Sequence, residues 1–366
     1  MAASSVPSPL YAQYREHWGF SAAALTGVFA VYAFSLLASL LTLGSLSDHL
    51  GRRPVILGAI VFELLSLVLF LFADSLGWLV AARLVQGAAT GVALSALGAA
   101  IMDSDRHRAP LINSAVPMFG MAVGALGSSL MVAFAPAPLH GVYAVVILLL
   151  AVQGWYCRSL PETGVQRPGA WASMRPRVAV PPAARSAFLR VVPIDVGVWA
   201  LGGFFLSLGP TLARQVTGIH SPVIGGLLLA TLTLSGSAST LLLRQQEPQR
   251  LMRVGSLALM AGVGLVLVAL ATGSIGSFFV GTMVAGVGFG VGFLAALRSV
   301  MASVAPTQRA GLMAAFLVLS YCAFSLPALA AGFAAGRFGL TATVEVYGAM
   351  LVALAFIAAL GSFRSR

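Results

Sequence analysis

The chain has 366 residues, of which 59% are hydrophobic and only 8% are charged. Soluble domains carry about 25% charged residues, and disordered chains combine low hydrophobicity with high net charge, so both classes are excluded. The net charge of +11 comes entirely from arginine. It leaves open either nucleic-acid binding or the collection of basic residues in the cytoplasmic loops of a membrane protein.

Long apolar runs predict membrane-spanning helices along the whole chain, since a span needs about 20 mostly apolar residues. The runs that qualify are 20–43, 54–73, 77–101, 111–134, 141–158, 191–212, 221–243, 254–272, 276–299, 310–334 and 340–362. The sequence therefore predicts an all-α membrane protein with 11 spans. We expect an N-terminal bundle over 1–158, a cytoplasmic linker over 159–190 and a C-terminal bundle over 191–366.

The arginines are distributed very unevenly between the two ends of these spans. If the loop 44–53 is cytoplasmic, 17 arginines fall on the cytoplasmic side, and only Arg15, Arg214 and Arg337 fall on the outer side. Basic residues collect on the cytoplasmic side of membrane proteins. The pattern predicts a multi-pass protein of the cell membrane with a cytoplasmic linker and C-terminus, and it explains the positive charge without a nucleic-acid partner.

The loop after the first span contains a long motif built from glycine, acidic and basic residues. Its key positions are Gly44, Leu46, Asp48, Gly51, Arg52 and Arg53, followed by Pro54. A glycine permits a tight reversal, and proline suits the first turn of the next helix. The spacing of Asp48 and Arg52 predicts a charge pair across the turn.

This loop resembles the signature G-x-L-x-D-x-x-G-R-R of the major facilitator superfamily, where it joins the second and third of 12 helices on the cytoplasmic side. The resemblance implies two helical bundles that rock around a central substrate cavity. It also implies that Asp48, Arg52 and Arg53 gate that motion through contacts between the two halves. In that numbering the chain contains helices two to twelve.

The resemblance therefore leaves helix one unaccounted for. Residues 6–20 are similar to the outer end of such a helix and its following loop, but they are too polar to span. One hypothesis is that roughly 20–30 residues are missing before Met1, because a span needs about 20 apolar residues. The alternative is a protein that has 11 spans.

A second motif lies inside the span 77–101, where Arg83, Gln86 and Gly87 resemble the R-x-x-Q-G segment of helix four in the same family. Charged side chains within spans are costly and are functional candidates by default. The resemblance implies a role for Arg83 in proton coupling. The alternative is that Arg83 extends its charged end to the outer headgroups.

Two further segments resemble motifs of the same family. Residues 120–127 are similar to the helix-five glycine motif of its antiporter branch but depart from it at Ala125, and ordinary packing of small residues between helices is the alternative. Residues 160–163 read Leu-Pro-Glu-Thr, similar to the end of helix six in many members. An internal repeat is indicated because Gly87 and Gly91 match Gly286 and Gly290 at a constant shift.

Two acidic residues and one aromatic segment complete the candidate site. Glu63 lies mid-span, and is either a buried interhelical residue or a coupling residue; Asp195 is either a helix-end charge or a second proton site. Trp199, Phe204, Phe205, Ser207 and Tyr321 are candidates for the substrate cavity, with helix packing as the alternative. Gly202, Gly203 and Pro210 are expected to interrupt the span.

These patterns predict a monomeric secondary transporter for a small organic solute. We expect proton-coupled efflux of amphipathic, drug-like compounds by alternating access, with the lipid bilayer and protons as partners. Nutrient uptake by the same family, or a truncated membrane protein without transport activity, are the alternatives. No catalytic set, metal cluster, cofactor motif or nucleic-acid element is recognised, so we do not expect an enzyme.

Overall fold

The computed structural model describes residues 1–135, 137–164, 166–305 and 308–364. Within these residues 11 helices are long and apolar enough to cross a membrane, which confirms the predicted helical membrane fold. They are α3 (Ala22–Leu43), α5 (Arg52–Leu71), α6 (Leu76–Ser104), α7 (Ala109–Phe134), α8 (Pro138–Ser159), α10 (Arg185–Ser207), α12 (Pro222–Leu243), α13 (Pro248–Thr272), α14 (Ile275–Met301), α15 (Arg309–Phe338) and α16 (Leu340–Arg364).

Shorter helices lie at the chain start, in the loops and in the linker. They are α1 (Ala2–Ser5), α2 (Tyr11–Trp18), α4 (Ser47–Leu50), α9 (Ala170–Ser173), α11 (Gly209–Thr217) and a 3-10 turn over Pro182–Ala184. Because consecutive spans alternate in direction, α4, the linker and both ends of the α12–α13 loop lie at one end of the molecule. We call this end the arginine-rich face, since most of the arginines lie there, and the other end the opposite face.

Helices pack mainly with neighbours from their own part of the chain. Before the linker α6 packs against α3 and α5, and α5 also packs against α8; after it, α14 packs against α12 and α13, and α10 packs against α15. The two parts meet mainly through α7 with α12 and α3 with α15.

Glycines allow the closest of these approaches, and they do so at matching places in the two parts. A Cβ on Gly87 would lie 2.3 Å from the Tyr32 carbonyl oxygen in α3, and a Cβ on Gly286 would lie 2.4 Å from the Leu232 carbonyl oxygen in α12. The α6–α3 and α14–α12 contacts are thus equivalent, as the proposed repeat of the two glycine pairs predicts. Small residues of this kind are what bring membrane helices together.

Residues 1–18 pack inside the first part of the chain rather than across its surface. Tyr11 and Tyr14 are almost fully buried. The Ser5 hydroxyl donates to the Met121 carbonyl and the Ser128 hydroxyl donates to the Val6 carbonyl, which fixes the segment against α7. The segment is not among the 11 spans found in the described residues, as its polarity predicts.

The span predicted over 191–212 begins earlier than expected, at Arg185, and is interrupted next to Pro210, as predicted. α10 ends at Ser207, and α11 begins at Gly209 with Pro210 in its first turn. Gly202 and Gly203 do not interrupt the helix, which corrects the prediction. Gly203 instead lets α15 approach, because a Cβ there would lie 2.0 Å from the Phe324 carbonyl oxygen.

Candidate functional site

The motif loop 44–53 forms a compact group of ion pairs at the arginine-rich face. Gly51 has a φ of 99°, a conformation that side chains with a Cβ rarely adopt. Arg52 forms an ion pair with Asp48, as the spacing predicts, and a second one with Asp103 at the end of α6 through an Nε–Oδ2 distance of 2.9 Å. The loop therefore ties α4, α5 and α6 together.

The start of α5 and the end of α8 exchange hydrogen bonds. The Glu162 carboxylate accepts the backbone N–H groups of Arg52 and Arg53 at 2.7 and 3.0 Å. In return the Arg53 guanidinium donates to the carbonyls of Arg158 and Leu160, both at 3.2 Å. The Pro-Glu-Thr segment, a weak motif in the sequence, thus caps the helix that the strong motif begins.

Glu162 is held ionised by its backbone donors. Its partial burial opposes ionisation, but the N–H groups of Gly164, Arg52, Arg53 and Thr163 donate to the carboxylate and lower its pKa from the ordinary value. Gly51 also leaves room for this group, because a Cβ there would lie 2.8 Å from Glu162 Oε2.

The linker connects the motif loop to the second part of the chain. The Ser45 hydroxyl donates to the Ser173 carbonyl, and Arg167 donates its N–H to the His49 carbonyl. Further along, Ala179 donates to the carbonyl of Gly311 in the first turn of α15. Among the described residues, the hydrogen bonds and ion pairs of Asp48, Arg52 and Arg53 reach the first part of the chain and the start of the linker, but not the second part. The link between the two parts at this face therefore runs through the linker.

Arg83 is fully buried, at 0% exposure, so it does not extend to the headgroups. Its Nη1 donates to Gln86 Oε1 at 2.6 Å and to the Ser4 carbonyl at 2.9 Å, and its Nε donates to the Tyr11 hydroxyl. The guanidinium also lies 5.0 Å from the ring centroid of Tyr32. Aromatic faces stabilise such a cation where water is excluded.

Glu63, predicted to be either a buried interhelical residue or a coupling residue, joins this cluster. Gln86 Nε2 donates to Glu63 Oε1 at 3.1 Å, so the amide of Gln86 bridges the guanidinium and the carboxylate. Thr90 Oγ1 lies 3.4 Å from Glu63 Oε2. Glu63 lies on α5, whereas Arg83, Gln86 and Thr90 lie on α6. Only the packing of these two helices therefore reveals the cluster.

Asp195 is the corresponding buried acid in the second part of the chain. It is 0% exposed, and its Oδ2 accepts a hydrogen bond of 2.9 Å from Ser320 on α15. Its Oδ1 has no hydrogen-bond partner among the described residues, and neither has Nε1 of Trp199, one turn further along α10. No ion pair is found for Asp195 in the described part of the chain, so it differs from a solvated helix-end charge.

Trp199 and Tyr321 belong to an aromatic cluster that lies beside Asp195. The Trp199 ring is 4.9 Å from Tyr321, 5.6 Å from Phe293 and 5.8 Å from Phe324, measured between centroids. Phe324 in turn lies 5.0 Å from Phe29 of α3. The aromatic cluster therefore reaches the contact between the two parts of the chain.

The other three cavity candidates lie elsewhere. The ring of Phe204 packs 4.8 Å from that of Tyr347 on α16, and Phe204 and Phe205 line an apolar cavity of only about 20 Å³ between α10, α13 and α16. Ser207 donates to the Gly203 carbonyl of its own helix at 2.7 Å. The structure thus groups Trp199 with Tyr321 but places Phe204, Phe205 and Ser207 inside the packing of the second part.

Metal binding finds no support in the geometry. No group of three or more His, Cys, Asp or Glu side chains that could hold an ion occurs in the described ranges.

Comparisons with known proteins give one consistent picture. A model of the Major Facilitator Superfamily matches residues 1–328. The chain is 27% identical over 292 residues to the multidrug resistance protein MdtL of Shewanella sp. (strain ANA-3), covering 77% of this chain and 72% of that one.

Solved structures share the fold at low sequence identity. The nucleoside transporter NupG superposes with a TM-score of 0.73 at 14% identity, over 100% of this chain and 97% of that one. The human organic anion transporter MFSD10 superposes with a TM-score of 0.68 at 20% identity, over 92% and 83%. The family model covers most of the chain, and the predicted motif loop, the buried Arg83 and the 11 spans all agree with that family. The protein therefore belongs to the Major Facilitator Superfamily of membrane transporters.

Proposed function

We propose that this transporter exports amphipathic organic compounds in exchange for protons, by alternating access. In this proposal the bundles 1–158 and 191–366 rock against each other, and the linker 159–190 joins them. The arginine-rich face is cytoplasmic, as the uneven distribution of arginines favours, and the transporter acts as a monomer in the cell membrane.

The observation that carries the proposal is the position of Asp195 next to the aromatic cluster. An ionised carboxylate is costly inside a membrane protein unless it is paired. Asp195 has one hydroxyl donor and a free oxygen, so a bound proton is the simplest way to neutralise it. The rings of Trp199 and Tyr321 beside it offer an apolar surface for an amphipathic solute, so proton and substrate would meet at one place.

The cluster of Arg83, Gln86, Glu63 and Tyr11 supports the same proposal from the other bundle. It holds a cation and a carboxyl group away from water, joined through one amide. A change in the protonation of Glu63 would alter the hydrogen bonds of Gln86 and thereby those of Arg83. We propose that Arg83, Gln86, Gly87 and Asp195 take part in coupling, and that the motif Gly44, Leu46, Asp48, Gly51, Arg52 and Arg53 gates the motion.

Export is favoured over uptake by the likeness to a multidrug resistance protein. Uptake is the second candidate, because a nucleoside transporter shares the fold. Few charges lie in the buried part of the spans, which argues against a highly charged substrate in either case.

A vesicle assay tests the proposal. Purified protein is reconstituted into vesicles with an acidic interior, and a panel of amphipathic dyes and nucleosides is added outside. We expect that at least one dye dissipates the pH gradient and accumulates inside, and that Asp195→Asn abolishes both effects. Glu345→Gln is the matched control, because Glu345 is exposed on α16; it should behave as the wild type.

Three outcomes would contradict parts of the proposal. If no compound uses the gradient, proton coupling is wrong. If only nucleosides accumulate, the amphipathic dye-like substrate class is wrong. If no compound enters the vesicles at all, the transport proposal is wrong and the chain is a membrane protein without transport activity.

A further inference from the structure

A cavity of about 300 Å³ opens at the arginine-rich face between the ends of four helices of the second bundle. Its lining comes from the first turns of α10 and α13 and the last turns of α14 and α16: Ala187, Arg190, Val191, Gln249, Met252, Ser299, Ala358, Gly361 and Ser362. None of the residues of the candidate transport site lines it. The cavity is therefore separate from the proposed route of the substrate.

Small side chains create this space. Alanine, serine and glycine occupy five of the lining positions. A Cβ built on Gly361 meets no atom within 4 Å, which shows independently that this wall is open. One water takes up about 30 Å³ in the liquid, so the cavity has room for a group much larger than a single water or ion.

The charge around the cavity is positive. Of the described residues that line it, Arg190 is a cation and none is acidic. The guanidinium of Arg190 uses Nε and Nη2 within its own first turn, on the carbonyl and hydroxyl of Ser186. Its side chain stays exposed, so it can also meet a ligand at the mouth.

Arg253 adds a second cation at the cavity wall. It directly follows Met252, and its Nη2 lies 3.4 Å from the carbonyl oxygen of Ser362, both of which line the cavity. Its guanidinium lies 5.0 Å from the ring of Phe363, and its buried Nε has no hydrogen-bond partner among the described residues. Two arginines therefore flank a cavity whose own polar groups are hydroxyls and an amide.

We propose that this cavity binds the phosphate headgroup of an anionic phospholipid. Arginine pairs with phosphate oxygens through two parallel N–H donors, and basic pockets between spans on the cytoplasmic side suit such headgroups. The mouth lies at the ends of the spans, where the headgroups of the membrane lie. Val191, Met252 and Ala358 give the cavity an apolar wall that a glycerol backbone covers and an inorganic phosphate leaves bare.

Such a lipid would connect the ends of four helices. It would bridge the first turns of α10 and α13 to the last turns of α14 and α16. α10 also carries Asp195 and Trp199, so the lipid would steady the helix on which the candidate transport site lies without touching that site. A ligand that binds only the folded protein raises its unfolding temperature.

Thermal unfolding of the purified full chain in a neutral detergent tests the proposal. The probes are short-chain phosphatidylglycerol, phosphatidylcholine with the same chains, and inorganic phosphate. We expect phosphatidylglycerol to raise the unfolding temperature in a saturable way, and the other two to have no such effect at equal concentration. Loss of a charged hydrogen-bond partner should raise the half-saturating concentration in Arg190→Ala by about tenfold or more.

A second variant removes the space instead of the charge. Gly361→Leu extends a side chain into the cavity from a position where a Cβ meets no atom within 4 Å, so the protein should fold and lose the response to phosphatidylglycerol. Arg108→Ala and Gly264→Leu are the matched controls, because Arg108 is an exposed arginine of the first bundle and a Cβ on Gly264 also meets no atom within 4 Å. Both should respond as the wild type does.

Each possible result tests a different part of the lipid proposal. An equal response to phosphatidylcholine would overturn the requirement for an anionic headgroup. An equal response to inorganic phosphate would overturn the lipid as the source of the phosphate. Unchanged half-saturation in both Arg190→Ala and Gly361→Leu would overturn the site itself. None of these results bears on the export of organic compounds, so the two proposals fail independently.

Discussion

The side chains of Arg83, Gln86 and Glu63 show how a membrane helix bundle can hold a guanidinium and a carboxyl group close together without a direct ion pair. A buried ion pair is stable only if its remaining donors and acceptors are satisfied. Here Gln86 supplies an acceptor to Arg83 and a donor to Glu63 at the same time. Only Nη2 of Arg83 is without a partner among the described residues, which leaves one donor available for a change of state.

Replacing Gln86 with methionine should therefore be severe. Gln86→Met nearly keeps the volume but removes both hydrogen bonds to charged groups, each worth about 1.5–3 kcal/mol. We expect a clearly lower unfolding temperature and loss of proton-driven transport. Gln166→Met, in the exposed linker, is the control and should change neither; equal stability of the two variants would refute the bridging role of Gln86.

At the scale of elements, the α5 start and the α8 end are held by side chains from each other's termini. The first N–H groups of a helix and its last carbonyls lack partners within the helix. Glu162 accepts the first N–H groups of α5, and Arg53 donates to carbonyls at the end of α8. The motif loop is thereby fixed to two helices that are distant in sequence.

The cap predicts a pH dependence of stability. The pKa of Glu162 is lowered in the folded protein, so its contribution is present above the unfolded value of 4.5 and is lost as the pH falls through the lower folded value. Glu162→Gln should cost about 1 kcal/mol at pH 7. Unfolding temperatures of wild type and variant should converge on acidification below pH 4.5; a gap that stays constant would contradict the charged cap.

The elements were easier to predict from the sequence than the contacts between them. Hydropathy predicts the spans because the bilayer requires about 20 apolar residues in each, and the split at Gly273 follows from its left-handed conformation. Hydropathy does not show which face of α10 meets the aromatic cluster. It therefore does not separate Trp199, which packs against α14 and α15, from Phe204, which packs against α16. The hydrogen bond between Glu63 and Gln86 could not be predicted for the same reason, because the two residues lie on different helices.

At the scale of the whole molecule, the two bundles are in close contact at the opposite face. Glu16 and Arg214 form an ion pair of 3.1 Å there. A Cβ on Gly226 would lie 2.0 Å from the Ser129 hydroxyl oxygen, and one on Gly332 would lie 2.1 Å from that of Thr26. The ion pair is exposed and contributes little, so close packing at these glycines dominates the contact.

Adding one methyl group at Gly332 should shift the balance between transport states. The new Cβ of Gly332→Ala cannot fit beside Thr26 unless α15 and α3 separate. Overpacking costs about 1–3 kcal/mol, and each 1.4 kcal/mol corresponds to about tenfold in an equilibrium. The arrangement that is closed at the opposite face should therefore lose population by about tenfold relative to one that is open there.

Distance measurements between spin labels at Arg15→Cys and His220→Cys, both exposed at the opposite face, would detect this shift once the two native cysteines are replaced. Gly332→Ala should lengthen the label distance and slow transport. Gly336→Ala, one turn away on the same helix, is the control, because a Cβ there meets no atom within 4 Å. The two variants add the same methyl group, so a longer label distance in both would mean that the label pair reports helix stability. An unchanged label distance in both would mean that the contact of Gly332 with Thr26 does not hold the bundles together.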